Sequence, residues 1–110
     1  MEKMLGFEEL EKLEVKAYDK TGMVLSFVEG VSELVIDGIG SLDSEKATKI
    51  VEVLKDEGYK EFALADSSSG LMDELFAFTE TGCEISGTVK FNQVQKFRSK
   101  EIKAIMLTIK

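Results

Sequence analysis

The chain has 110 residues, 44% of them hydrophobic and 32% charged, which suffices for one packed domain spanning 1–110 and argues against disorder. Twenty-one acidic residues against fourteen basic ones give a net charge of −7, a poor balance for coating nucleic acid or anionic membranes. Histidine is absent, which removes histidine general bases, Ser-His and Cys-His nucleophile pairs and most transition-metal sites.

With no proline in the chain, glycine and Asp/Ser clusters supply the punctuation. Residues 2–12 are acidic, with Leu5, Glu9 and Leu13 at helical spacing, and predict a short N-terminal helix. Residues 13–18 alternate, Leu13, Val15 and Ala17 against Glu14, Lys16 and Tyr18, which predicts a half-buried strand. Asp19-Lys20-Thr21-Gly22 suits a type I turn closing a hairpin. Residues 23–28 are apolar on both faces and read as a central strand. Leu34-Val35-Ile36 is a third short strand.

Ala47, Ile50, Val51 and Leu54 then recur at i, i+3, i+4 and i+7 and predict a helix over 43–57. Asp43 or Ser41 caps its start and Gly58 its end. Phe62-Ala63-Leu64-Ala65 reads as a strand, parallel to the one at 33–37 through the helical crossover. Residues 71–79 read as a helix whose apolar face is Leu71, Met72, Leu75 and Phe76, stopped by Gly82. Strand alternation returns at Ile85, Gly87, Val89 and Phe91, and again over 102–109. The expected fold is α+β: a two-layer mixed sheet of five or six strands with two main helices, in the order (α)-β-β-β-α-β-α-β-β.

A near-repeat is the feature most like a site. Asp37, Gly38, Gly40 and Ser41 follow one strand; Asp66, Ser67, Ser68, Ser69 and Gly70 follow the next parallel one. Each copy has an apolar strand, an aspartate, and a leucine entering a helix. Small residues at the carboxyl ends of parallel strands let backbone amides approach a small anionic ligand, or two carboxylates hold Mg²⁺. Turn chemistry alone also favours Asp, Ser and Gly there. Neither copy is a Walker loop or a dinucleotide fingerprint. No cofactor and no resident metal are expected.

Residues 90–110 carry six basic side chains against Glu101 alone, +5, which leaves −12 on the remainder. Phe91, Lys96, Phe97 and Arg98 there mix rings and cations as single-stranded RNA readers do. The acidic balance of the chain ranks nucleic acid below a protein partner.

Cys83 has no intrachain partner and no histidine to activate it, and Glu84 beside it opposes ionisation. It reads as a buried side chain, and one unpaired thiol suits a reducing cytoplasm. No apolar run approaches the ~20 residues that span a bilayer, and the first residues lack a signal-peptide pattern.

The expectation for function is a non-catalytic binding or regulatory module acting as a homodimer. Two helices cover one face of a five-stranded sheet. A second copy would then cover the surplus near Met23, Leu25, Phe27, Ile105, Leu107 and Ile109. The alternatives are a Mg²⁺-dependent phosphate- or nucleotide-handling protein using the Asp37 and Asp66 loops, and weak RNA binding through the basic C-terminal segment.

Overall fold

A computed structural model describes residues 7–29, 31, 33–39, 42–66, 70–94 and 99–110. Three helices and five strands follow in the order α1 (Phe7–Thr21), β1 (Leu25–Phe27), β2 (Val35–Ile39), α2 (Ser44–Asp56), β3 (Glu61–Ala65), α3 (Leu71–Glu80), β4 (Glu84–Val94) and β5 (Ser99–Thr108). The sheet order is β1-β2-β3-β5-β4. Only β2 and β3 are parallel, with Val35 beside Ala63 and Ile36 beside Leu64. The α+β mixed sheet and the parallel crossover therefore match expectation.

The N-terminal third does not. Residues 13–18 are helical, and the predicted strand is the second half of α1. Leu10, Leu13 and Ala17 fall at i, i+3 and i+7 and are buried. Val15, the middle residue of the apparent alternation, points outward and is 54% exposed. The cationic row of α1 decides the matter. Lys12 (3.7 Å) and Lys16 both pair with Glu57, and Lys20 lies 3.4 Å from Glu52, so α1 lies antiparallel on α2. Gly22, read as a hairpin turn, is the helix stop: φ is +72° and its amide donates to the Tyr18 carbonyl at 2.7 Å. Such a left-handed residue costs glycine little.

β1 is correspondingly an edge strand of three residues, not a central one, and Val24 before it is 70% exposed. α2 starts as expected: Asp43 is its N-cap, its Oδ1 accepting from the Lys46 amide at 2.8 Å.

The three helices cover one face of the sheet. Leu10 and Leu13 of α1, Ile50 and Leu54 of α2, and Leu75 and Phe78 of α3 pack on Leu25, Ile36, Phe62, Leu64 and Leu107. Phe62 meets Phe78 edge to face, with centroids 4.9 Å apart, a favoured aromatic geometry.

A smaller core lies on the other face, where Val28, Val31, Val35, Ala63, Ala65, Ala104 and Met106 are buried and Val89, Phe91 and Ile102 pack on them. The β4–β5 hairpin supplies much of this cover. Although β4 and β1 lie at opposite edges of the sheet, the Gln93 side-chain amide donates to the Glu29 carbonyl at 2.9 Å. The hairpin must bend across the sheet to do so. A bulge accounts for the bend: the register shifts between Ile85 and Gly87, and Gly87 has φ of +151°. Bulges bend and over-twist a strand, and glycine alone readily takes that φ.

The surplus apolar face expected to need a second copy is therefore covered within one chain. The residues expected to mark that surplus mostly lie under the helices instead: Leu25, Phe27 and Leu107 are buried in the main core, Ile105 and Ile109 pack partly buried on it, and Met23 is buried.

Candidate functional site

Two open grooves flank the start of α3, where the chain leaves the carboxyl end of β3. The first, of about 710 Å³, runs between α3 and the β2–α2 connection. Ile39, Leu42 and Phe76 supply its apolar surface, and Asp43, Asp73 and Glu80 are among its carboxylates. Among the described residues none that lines it is basic. Glu74 also lines it, and is the one charged side chain buried among the described residues.

This groove follows from how α3 seats itself. The expected face of Leu71, Met72, Leu75 and Phe76 is only half right. Leu75, Ala77 and Phe78 are the buried apolar residues, while Met72 and Phe76 are 64% and 60% exposed, one helical turn apart. Two apolar faces compete on this helix, one through Leu71, Leu75 and Phe78 and the other through Met72 and Phe76. The edge-to-face contact of Phe78 with Phe62 favours the first.

The second groove, of about 670 Å³, lies between the start of α3 and the β4–β5 hairpin. Leu71 and Ile105 give it apolar walls, and Asp66, Thr88, Lys90 and Lys103 give it polar ones. Lys90 and Lys103 stand directly opposite each other across the two strands. Directly opposed strand residues share a face, so these two cations are close neighbours.

The near-repeat is placed as follows. Asp37 and Asp66 do lie at the same end of neighbouring parallel strands. Their parity differs, however. Val35 is level with Ala63 and Ile36 with Leu64, so Asp37 follows Val35 onto the minor-core face, whereas Asp66 follows Leu64 onto the helical face. The Asp66 amide continues the ladder by donating to the Lys103 carbonyl at 2.8 Å. The two carboxylates are thus not brought together around one cation. Among the described residues no three of His, Cys, Asp and Glu are placed to hold a metal ion.

Asp37 Oδ1 is buried with no hydrogen-bond donor among the described residues. Gly38 is a sheet residue paired with Ser26, and Gly70 N-caps α3 and borders the acidic groove. Gly40, Ser41, Ser67, Ser68 and Ser69 lie outside the described residues, as do Lys96, Phe97 and Arg98. Phe91 faces Ile102 and packs partly buried against the minor core, so its ring is engaged there. Among the described residues no helix is long and apolar enough to cross a membrane.

The fold and these surfaces define a mixed-sheet α+β domain with two grooves of opposite charge beside one helix. The chain belongs to the family described as Domain of unknown function (DUF7698), whose model matches residues 30–109. That span holds both grooves and leaves α1 and β1 outside it. No curated protein and no solved structure matches the chain.

Proposed function

We propose that this chain is a non-catalytic binding module that docks a basic, amphipathic segment of a partner protein along α3. The observation that carries the reading is the outward Met72–Phe76 pair beside a groove rimmed by carboxylates and lined, among the described residues, by no basic side chain. Exposed apolar side chains grouped at one place mark contact sites more often than scattered ones do. An apolar anchor from the partner would seat on Phe76, Leu42 and Ile39. Its lysines or arginines would meet Asp43, Asp73 and Glu80, and a cation over the Phe76 ring would add a cation–π contact. The net charge of −7 favours encounter with such a partner at low salt.

The lone thiol of Cys83 supports assigning this role to a reducing cytoplasm. The phosphate-handling alternative is weakened by the opposite facing of Asp37 and Asp66. A homodimer is the second reading, supported by the charge asymmetry between residues 90–110 and the rest. With the sheet covered, the α3 pair is the surface it would use.

Fluorescence anisotropy with a labelled leucine–lysine amphipathic peptide tests the proposal. Saturable binding is expected, roughly tenfold weaker for Phe76→Ala and weaker again at high salt. Equal binding of a leucine–glutamate peptide would remove the charge argument. A chain that sediments as a dimer and becomes monomeric on Phe76→Glu substitution would favour self-association.

A further inference from the structure

The Lys90–Lys103 pair places two exposed like charges side by side. The two side chains oppose each other directly on neighbouring strands, where like charges destabilise pairing. Among the described residues neither lysine forms an ion pair. Asp66 lines the same groove yet lies beyond ion-pair distance of both. Among the described residues the groove thus has two cations, one carboxylate, the Thr88 hydroxyl, and the apolar side chains of Leu71 and Ile105. Its volume of about 670 Å³ falls in the range of small-molecule sites.

From these features we infer that the hairpin groove binds an amphipathic monocarboxylate. Its carboxylate bridges the Lys90 and Lys103 ammonium groups, with Thr88 as a further donor, and its hydrocarbon body lies on Leu71 and Ile105. The described lining carries a net charge of +1 (Lys90 and Lys103 against Asp66), which suits a monoanion. A phosphate dianion would meet repulsion from Asp66 and leave the apolar walls unused. A neutral apolar molecule would leave the lysine repulsion in place. The site is distinct from the acidic groove, so its test does not depend on the peptide reading.

Titration of the full-length chain with octanoate, followed by amide chemical shifts, tests the inference; octanol and inorganic phosphate serve as the two controls. Octanoate should bind saturably and shift Leu71, Thr88, Lys90, Lys103 and Ile105. Lys90→Gln and Lys103→Gln should each weaken binding roughly tenfold, the loss of one charge-assisted contact, and Phe76→Ala should not. Lys103→Glu is the folding control: by turning a repulsive pair into an attractive one it should raise the melting temperature while abolishing octanoate binding. Equal binding of octanol would reduce the site to a greasy groove, and equal binding of phosphate would make it a general anion site. Either result overturns the inference. A flat octanoate titration would do the same, leaving the lysines as guards of the β4 edge.

Discussion

Cys83 lies just beyond the end of α3, buried, with its sulfur 3.8 Å from Thr81 Oγ1. Burial pushes its pKa up from the ordinary 9.0, while the Thr81 hydroxyl and the charge of Lys55 pull the other way without prevailing. Burial, reinforced by Glu9, likewise raises Tyr59 above 10.0. Both groups are neutral when protonated, so the fold holds their protons more tightly than the unfolded chain does. Their contribution to stability is complete below about pH 9 and declines as pH rises through the folded values. Two outcomes follow: iodoacetamide labels Cys83 in the native chain far more slowly than in the denatured chain, and urea midpoints fall as pH rises from about 9 to about 11. Labelling at equal rates would show an accessible thiolate. The burial of Cys83 was legible in the sequence, where no histidine could activate it and the adjacent Glu84 opposes ionisation. The parity of Asp37 and Asp66 was not. It depends on a one-residue offset in the parallel register, and in a sheet one residue reverses the face.

α1 shows how short apolar patterns mislead at the level of the element. Leu13 and Ala17 satisfy a strand period and a helix period at once, and only Leu10 on one side and Lys12, Lys16 and Lys20 on the other distinguish them. Burial separates the two readings experimentally. Leu10→Ala should cost about 2 to 5 kcal/mol in chemical denaturation, whereas Val15→Ala should stay within about 0.5 kcal/mol. A strand over 13–18 would reverse the order of Leu10 and Val15. The β4–β5 hairpin is the second lesson. Its two strands were visible from alternation, but its bend across the sheet rests on the bulge at Ser86 and Gly87, pinned where Ser86 Oγ donates to the Met106 carbonyl at 3.2 Å and accepts from Thr108 Oγ1 at 3.1 Å. An isolated glycine in a strand is consistent with a bulge but does not specify one. Gly87→Ala meets no steric neighbour, yet it places a side chain at φ +151°, at a cost of about 1 to 3 kcal/mol. The accompanying sign should be faster amide exchange at Phe91, which the bend brings over the minor core, and at Val28 and Val31 of that core.

For the whole molecule, the radius of gyration of 13.1 Å is that of one compact chain of this length, with both sheet faces covered from within. The proposed docking surface accordingly lies on the helical side, where α3 separates a carboxylate-rimmed groove from a lysine-bearing one. The sequence marked the neighbourhood, since Gly70 borders the first groove and Asp66 the second. It did not mark Phe76, because a helix with two apolar faces does not declare which one it buries. The most direct measurement of the central claim is an amide chemical-shift map of the full-length chain titrated with the leucine–lysine peptide. The account predicts saturable shifts at Leu42, Asp43, Met72, Asp73, Phe76 and Glu80, lost with Phe76→Ala while the rest of the spectrum stays native. Shifts centred on α1 or the hairpin, or a map unchanged by Phe76→Ala, would contradict it.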